Sequence, residues 1–279
     1  MSQKSVNWYY ADSIEKAFDY ISQPNTYLYA GGLSATKKLT HRAEGFVVLN
    51  NGILNEIKVD NDMISIGAFT TINSFVESCL DNSTCVYLKN AIKEAGSMSI
   101  RERMTFGGSI HDFPIWSDVV GPLITLNATI EYFDGNHYSY IPVEEYIGKV
   151  GSFQPHIITT ISFPVSQSLK YFNYRLTRVH FEYPSMTING YVKIEDNTIS
   201  DIKVFIGGTT KKYSKMYDFE QYLKKKKLTA DNIFSARKFI NPVFSGNSMY
   251  SGNYLTEQAS IALVDLLMNI LEEQNARNI

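Results

Sequence analysis

The chain has 279 residues, of which 44% are hydrophobic and 19% are charged, and its formal net charge at pH 7 is −2. This length is sufficient for two domains, each with its own core, and the small negative charge gives no electrostatic reason to expect nucleic acid or an anionic membrane as a partner. Every apolar run is far shorter than the ~20 residues of a membrane-spanning helix. The N-terminus lacks the apolar segment of a secretory signal, so the sequence predicts a soluble, cytoplasmic protein.

Residues that ligate metals or attack substrates are scattered along the sequence. Two cysteines, Cys79 and Cys85, are too few for a four-cysteine iron–sulfur cluster, and reduced thiols are expected in the cytoplasm. The histidines show no metal-binding spacing; they are His41, His111, His137, His156 and His180. The sequence therefore predicts no metal site and no catalytic residue. His111 is read either as a hydrogen-bonded loop residue or as a catalytic one.

In the first part of the chain, the sequence pattern predicts short helices that alternate with strands. Asp12-Ser13 precedes apolar residues at helical spacing, which is typical of a capped amphipathic helix. The next predicted elements are a strand at Tyr27–Ala30, a helix at Ser34–Thr40, a strand at Phe46–Leu49 closed by an Asn51-Gly52 hairpin turn, and a hairpin of Glu56–Val59 with Met63–Ala68. Two helical stripes, a hairpin of Ala128–Phe133 with Tyr138–Ile141 and a strand at Ile157–Phe163 follow.

The last part of the chain has the pattern of an antiparallel sheet followed by helices. Predicted strands are Tyr171–Thr177, Thr187–Ile194 and Ile199–Ile206, with Asp196-Asn197 as a tight turn. Gly207-Gly208, a further glycine pair, is read as structural. Predicted helices are Tyr217–Lys225, Asp231–Phe239 and a long C-terminal helix with an apolar stripe from Leu255 to Ile270.

Two glycine stretches share one local pattern. Leu28–Ala35 and Thr105–Ser109 each join an apolar run to a glycine pair and then to a hydroxyl residue. Glycine permits a close approach to the backbone, and consecutive N–H groups in such a turn form a concavity suited to phosphate. Two stretches facing each other would suit one diphosphate, whereas either alone is also explained as a tight turn. Neither matches the dinucleotide fingerprint or the P-loop.

A lone acid, Asp118, follows the second glycine pair by ten residues and precedes an apolar run. The run predicts a helix that begins near Ser117. Asp118 is therefore read either as a cap of that helix or as an acceptor for a ligand hydroxyl.

The order of these motifs resembles a known family. AGGxS, then GSxxIRxxxTxGG from Gly96, then the acid Asp118 are similar to the FAD-binding subunit of the molybdenum hydroxylases, the xanthine dehydrogenase and carbon monoxide dehydrogenase flavoprotein family. The resemblance covers the chain from about Tyr9 to the C-terminus. It implies an α+β fold with two domains.

The resemblance also implies the domain boundaries. A two-lobed PCMH-type FAD-binding domain would occupy residues 1–168, with a small lobe at about 1–55 and a larger lobe at about 56–168. A domain like the C-terminal domain of carbon monoxide dehydrogenase flavoprotein, with an antiparallel sheet and helices, would occupy residues 169–279.

The family's function implies cofactors and partners. In the family, electrons pass from a molybdenum centre on a large molybdopterin-binding subunit, through [2Fe–2S] clusters on a small subunit, to FAD and then to NAD⁺ or another acceptor. The resemblance implies that this chain is the flavin subunit of such a xanthine dehydrogenase-like oxidoreductase. The lack of catalytic residues agrees with this, because flavin supplies the redox chemistry while the protein binds and orients it.

The resemblance assigns cofactor-binding roles residue by residue. The glycine stretches would bind the diphosphate, Asp118 would hold FAD hydroxyls, and Ile158 would pack near the cofactor. Tyr183 would stack on the isoalloxazine, although packing at a domain interface explains it equally well. The full set is Leu28, Tyr29, Ala30, Gly31, Gly32, Leu33, Ser34, Ala35, Thr105, Gly107, Gly108, Ser109, Asp118, Ile158 and Tyr183.

Several positions depart from the family pattern. Leu33-Ser34 stands where Thr-Asp is usual, Glu102 and Ser109 each stand where Asn is usual, and Asn173 stands where Lys is usual. Binding through backbone N–H groups tolerates such changes, because it does not depend on the side chains.

Two alternatives stay open from the sequence. One is a scaffold subunit that has lost flavin and only holds its partner subunits together, which Glu102 and Ser109 favour. The other is a stand-alone flavoenzyme on the same fold, such as the reductase of cell-wall precursor synthesis. The glycine interpretation adds an expectation: a β-branched residue at Gly107 or Gly108 would abolish FAD binding with the fold intact, because its side chain would take the place of the diphosphate.

Overall fold

A computed structural model describes residues 6–35, 42–50, 52–60 and 62–277. Its strands, in chain order, are β1 Asn7–Ala11, β2 Thr26–Leu28, β3 Gly45–Leu49, β4 Ile57–Asp60, β5 Met63–Gly67, β6 Thr129–Phe133, β7 Tyr138–Pro142, β8 Ile157–Pro164, β9 Leu169–Leu176, β10 Met186–Glu195, β11 Thr198–Thr209 and β12 Lys212–Lys215. Its helices are α1 Ile14–Ile21, α2 Ile72–Val76, α3 Ser83–Ile92, α4 Met98–Arg101, α5 Phe106–His111, α6 Val120–Thr125, α7 Val143–Lys149, α8 Tyr217–Leu223, α9 Ala230–Ala236 and α10 Gly252–Arg277. Short 3₁₀ turns lie at Val150–Ser152 and Arg237–Phe239.

The chain divides into two compact units. Unit 1 comprises residues 1–79, 96–113 and 126–165, and unit 2 comprises residues 80–95, 114–125 and 166–279. The chain therefore passes between the units several times before residue 166, and α3 and α6 belong to unit 2.

Unit 1 contains two sheets. A three-stranded parallel sheet has the order β1-β3-β2, and a five-stranded antiparallel sheet has the order β4-β5-β8-β6-β7. The predicted hairpins of Glu56–Val59 with Met63–Ala68 and of Ala128–Phe133 with Tyr138–Ile141 are confirmed as β4–β5 and β6–β7. The α1 helix begins where the sequence indicates, because the Ser13 hydroxyl accepts a hydrogen bond from the Lys16 N–H.

Unit 2 contains a four-stranded antiparallel sheet with the order β12-β11-β10-β9, which confirms the predicted sheet. Residues Met186–Val192 of β10 are buried without the alternation of a half-exposed strand. The predicted Asp196-Asn197 turn joins β10 to β11, and both residues have positive φ, 49° and 60°. The stripe predicted on the C-terminal helix lies in the core of this unit.

One predicted connection is wrong. The strands on either side of the predicted Asn51-Gly52 hairpin, β3 and β4, belong to different sheets. Their apolar and β-branched residues indicate strands but not the partner of each strand, which is decided by tertiary packing. Asn51 itself lies outside the described residues, and so does most of the helix predicted at Ser34–Thr40.

Membrane insertion through a helix finds no support in the described ranges. None of the helices there is both long and apolar enough to cross a bilayer.

The backbone conformation at position 208 requires a glycine. Its φ is +87°, it lies at the irregularity in the pairing of β11 with β12, and an added Cβ would lie 2.5 Å from the Ser185 carbonyl oxygen. Gly208→Ala is expected to lower the free energy of unfolding by about 1–3 kcal/mol, because the left-handed conformation is costly for residues with a Cβ and the added atom clashes. Urea or thermal unfolding measures this loss.

Gly151→Ala is the matched control for that substitution, because an added Cβ at Gly151 would meet no atom within 4 Å. Its unfolding midpoint is expected to stay close to that of the unsubstituted chain. Equal midpoints for the two variants would contradict the structural role of Gly208.

Candidate functional site

The second glycine pair is helical. Gly107 and Gly108 lie in the first turn of α5, whose N-cap is Thr105. The Gly107 N–H donates to the Ala68 carbonyl (2.8 Å), the Gly108 N–H to the Thr105 hydroxyl (3.2 Å) and the Ser109 N–H to the Thr105 carbonyl (2.9 Å). The expected turn with bare N–H groups is therefore wrong for this pair, because hydrogen bonds within the chain already use these donors.

Because Gly107 and Gly108 have no side chains, other residues of the protein pack closely against them. An added Cβ would lie 2.8 Å from the Ala68 Cβ at Gly107, and 2.8 Å from the Thr105 hydroxyl at Gly108. Ala68 in turn donates its N–H to the Thr159 carbonyl of β8. The expectation that a β-branched residue at Gly107 leaves the fold intact is wrong, because that residue would push α5 away from Ala68.

The first glycine stretch lies against the chain that leads into the second. An added Cβ at Gly31 would lie only 1.4 Å from the Arg103 carbonyl oxygen, and Arg103 Nε donates to the Gly31 carbonyl oxygen at 3.0 Å. Gly32 has a φ of +75°, which favours glycine. The structure therefore brings the two predicted stretches together within unit 1, and Arg103 joins them.

Some residues of the first stretch belong to a small core. Ala35 is buried with Ala43 and Phe46, and Tyr29 packs beside this cluster. The Tyr29 ring also makes an edge contact with Trp8, at a centroid distance of 5.2 Å. Tyr29 and Ala35 thus pack within the protein, whereas the Ser34 side chain is exposed.

Ile158 lies in unit 1 with both glycine stretches. It is buried in β8 opposite Tyr132 of β6, and its neighbour Thr159 accepts the hydrogen bond from Ala68. Two residues, Thr159 and Ala68, therefore connect Ile158 to Gly107.

Two departures from the family pattern have structural roles. The Glu102 carboxylate accepts a hydrogen bond from Nδ2 of Asn73 at 2.6 Å, and Asn73 is buried. The Ser109 hydroxyl donates to the Thr105 carbonyl at 2.8 Å. Glu102 and Ser109 thus brace the segment around α4 and α5 by contacts of their own.

His111, the last residue of α5, takes part in a short hydrogen-bonded chain. Its Nδ1 lies 2.8 Å from the Tyr146 hydroxyl, which lies 2.8 Å from Nε2 of His156. Burial lowers the pKa of both histidines, so both are neutral at pH 7. This arrangement agrees with His111 as a hydrogen-bonded structural residue.

Asp118 does not cap α6. The Ser117 hydroxyl accepts hydrogen bonds from the Val119 and Val120 N–H groups instead. Asp118 is buried and accepts two hydrogen bonds from Arg175, from Nε at 2.9 Å and from Nη2 at 3.2 Å. The capping interpretation is therefore wrong, and Asp118 is one half of a buried ion pair.

Arg175 connects Asp118 to the segment that carries Tyr183. Its Nη2 also donates to the Glu182 carbonyl, while its Nη1 has no hydrogen-bond partner in the described ranges. The Tyr183 ring is 60% exposed and lies 5.1 Å from the Trp116 ring. Unit 2 thus presents a carboxylate, a guanidinium and an exposed aromatic pair in one place.

The predicted residues therefore fall into two groups. The glycine stretches and Ile158 lie in unit 1, and Asp118 and Tyr183 lie in unit 2. Sequence reasoning missed Arg103, Arg175 and Trp116 as members of these groups. Arg175 lies 57 positions from Asp118, so no local pattern signals their pairing. Among the described residues, no group of three or more His, Cys, Asp or Glu could hold a metal ion.

Comparison with known proteins agrees with these observations. Residues 4–166 match the model of the family described as the FAD binding domain in molybdopterin dehydrogenase. The chain is 26% identical over 229 residues to the glyceraldehyde dehydrogenase medium chain of Sulfolobus acidocaldarius, covering 79% of this chain and 82% of that protein.

Solved structures show the same fold. Carbon monoxide dehydrogenase from Hydrogenophaga pseudoflava matches with a TM-score of 0.86 and 18% identity, covering 96% of this chain and 97% of that one. Quinoline 2-oxidoreductase from Pseudomonas putida 86 matches with a TM-score of 0.84 and 14% identity, covering 96% and 98%. The predicted α+β class is confirmed.

The Glu102–Asn73 contact generates a test. Glu102→Ala would leave the buried Asn73 amide without this acceptor, which is expected to lower the free energy of unfolding by about 1–3 kcal/mol. Glu102→Gln keeps an acceptor oxygen and is expected to lose much less. Chemical unfolding of both variants measures the difference, and equal losses would show that the hydrogen bond is unimportant.

The Asp118–Arg175 pair predicts a pH-dependent effect. Burial raises the pKa of Asp118 to about 6, while the hydrogen bonds and charge of Arg175 act in the opposite direction. Because the folded pKa exceeds the unfolded one, ionisation of Asp118 costs stability as the pH rises through this range. Arg175→Met removes the opposing charge, so its destabilisation, about 3–5 kcal/mol for a broken buried pair, is expected to be larger near pH 7.5 than near pH 5.

Arg178→Met is the control for Arg175→Met. Arg178 forms an exposed pair with Glu182, and such pairs contribute little to stability. Unfolding curves at the two pH values compare the variants. A loss for Arg175→Met that is the same at both values would contradict the coupling to Asp118.

Proposed function

The chain belongs to the family of FAD-binding domains in molybdopterin dehydrogenases, and we propose that it is the electron-exit subunit of a molybdenum hydroxylase. In this role it accepts electrons from iron–sulfur clusters on a partner subunit and delivers them to NAD⁺ or another acceptor, as in xanthine dehydrogenase. The observation that carries the proposal is the family match over residues 4–166, which includes both glycine stretches.

The described residues fit a flavin nucleotide. Each Asp118 carboxylate oxygen accepts a hydrogen bond from Arg175 and has a further lone pair that would accept one from a ligand hydroxyl, and the exposed Trp116–Tyr183 pair supplies aromatic surface. In the first glycine stretch Gly31 is half-buried, Ser34 is exposed, and Gly32 has a φ of +75°, a conformation that favours glycine. When bound, FAD exchanges electrons singly or in pairs. The chain's own contribution would be to bind the cofactor and orient it.

The proposed site residues are those of the two groups. The first glycine stretch around Gly31 and Ser34 would contact the diphosphate, and Asp118 would accept hydroxyl hydrogen bonds. Gly107, Gly108 and Ser109 would act through the placement of α5, because their N–H groups already have partners. Tyr183 would contact the ring system, with Arg175 fixing the segment that carries it.

The partners and the substrate follow from the relatives. A protein called a medium chain is one of several chains, which supports a large molybdopterin-binding subunit and a small [2Fe–2S] subunit as partners here. The name of that relative, glyceraldehyde dehydrogenase, supports an aldehyde as the substrate of the complex. The substrate would bind the partner, because in the family the molybdenum centre lies on the large subunit.

The domain boundaries are proposed from the same match. A family match that ends at residue 166 supports an FAD-binding domain at residues 1–168 and a separate domain at residues 169–279. The last passage of the chain from unit 1 to unit 2, after Val165, also supports this boundary.

Flavin content tests the proposal. The purified chain is expected to show the visible absorption of oxidised flavin, or to acquire it on adding FAD, with one FAD per chain after gel filtration. Mass spectrometry of the cofactor released by denaturation distinguishes FAD from FMN. A colourless chain that takes up no FAD would contradict the proposal and favour the flavin-free scaffold.

A second measurement tests the acceptor. The flavin-loaded chain is reduced with dithionite without oxygen, and NAD⁺ or an artificial dye is added. Reoxidation by the dye shows that the flavin is accessible to acceptors. Reoxidation by NAD⁺ as well would support NAD⁺ as the electron acceptor, as in xanthine dehydrogenase. Reoxidation by the dye alone would show that the electron acceptor is a molecule other than NAD⁺.

A further inference from the structure

We propose that Arg103 binds the diphosphate of FAD through the Nη1 and Nη2 atoms of its guanidinium. This inference rests on the proposed function and deepens it, because it assigns a charged side chain to a subsite that the sequence attributed to backbone N–H groups. Arg103 lies between the two glycine stretches and belongs to neither.

A diphosphate needs donors or positive charge, because it carries two negative charges in a site that is partly shielded from water. The sequence predicts that two sets of backbone N–H groups supply these donors. In the structure, the N–H groups of Gly107, Gly108 and Ser109 donate to Ala68 and Thr105. These N–H groups are therefore not available to the diphosphate, and other donors must take their place.

Arg103 is held on the first stretch at two points. Its carbonyl oxygen lies so close to Gly31 that an added Cβ there would be 1.4 Å away, and its Nε donates to the Gly31 carbonyl oxygen at 3.0 Å. The first contact places the backbone of Arg103, and the second orients its side chain. Because the guanidinium is a rigid planar fork, fixing Nε also fixes Nη1 and Nη2 beside Gly31.

The two Nη atoms are available to a ligand. Arg103 is exposed, and in the described ranges its Nη1 and Nη2 make no hydrogen bond. Two other arginines are arranged differently: Arg101 donates from Nη1 to the Gly96 carbonyl, and Arg175 is paired with the buried Asp118. Arginine binds phosphate oxygens with two parallel hydrogen bonds, which suits a diphosphate.

The test compares flavins with and without phosphate. Arg103→Gln removes the charge and keeps an amide that can donate to the Gly31 carbonyl, whereas Arg103→Lys keeps the charge. Lys58→Met is the charge-matched control, because Lys58 is an exposed residue of unit 1 that is paired with Glu56. Flavin fluorescence measures the Kd of the full-length chain for FAD and for riboflavin at low and at physiological salt.

The expected result is a loss specific to phosphate. Arg103→Gln is expected to weaken FAD binding about 10- to 100-fold, as for the loss of a charge-assisted hydrogen bond, and to leave riboflavin binding within about twofold. Its FAD affinity is expected to depend less on salt. Arg103→Lys is expected to lose less than Arg103→Gln, and Lys58→Met is expected to match the unsubstituted chain.

Two results would overturn the assignment of Arg103. One is an Arg103→Gln variant that binds FAD as tightly as the unsubstituted chain. The other is an equal loss of FAD and riboflavin, which would show that Arg103 only shapes the first stretch. If the unsubstituted chain binds neither flavin, the proposed function fails together with this assignment.

Discussion

The structure of unit 1 depends on the close approach of Gly31 to the backbone of Arg103. The gap between them leaves no room for a Cβ at Gly31, and the guanidinium of Arg103 holds the carbonyl of the same glycine. Through this contact the small parallel sheet, which ends near the first glycine stretch, is joined to α4 and α5. Gly107 then packs on Ala68, which is hydrogen-bonded to β8 of the larger sheet. These glycines therefore determine how the segments of unit 1 pack, and they would affect a bound ligand only through that packing.

Unit 2 contributes chemistry of another kind. The buried pair of Asp118 and Arg175 is costly to remove from water, and two hydrogen bonds together with the Glu182 carbonyl compensate for part of this cost. In return, the pair fixes the segment before Tyr183, whose ring stays exposed beside Trp116. Within unit 2 the structure therefore places a carboxylate and an exposed aromatic pair near one another, and within unit 1 it places the cation of Arg103 beside the first glycine stretch.

Much of the fold and part of the site were predictable from the sequence. The hairpins β4–β5 and β6–β7, the sheet of unit 2 and the long helix α10 follow from hydrophobic periodicity and turn residues, because these signals are local. The partner of β3 was not predictable, since its apolar residues suit any buried sheet. In the sequence, Glu102 and Ser109 are departures from the family pattern that favour loss of flavin. Their contacts with Asn73 and Thr105 were not predictable, because these contacts form only in the folded chain.

The sequence by itself determined the family, the FAD cofactor and the segments that carry its motifs, because the order of the glycine pairs and Asp118 is specific even where each is ambiguous. Only the tertiary structure decided what each residue does. It showed that the second glycine pair opens a helix and uses its N–H groups internally, that Ser117 caps α6 and that Asp118 pairs with Arg175. The physical reason is that hydrogen-bond donors and charges are shared between segments distant in sequence, and folding determines which partner each one finds.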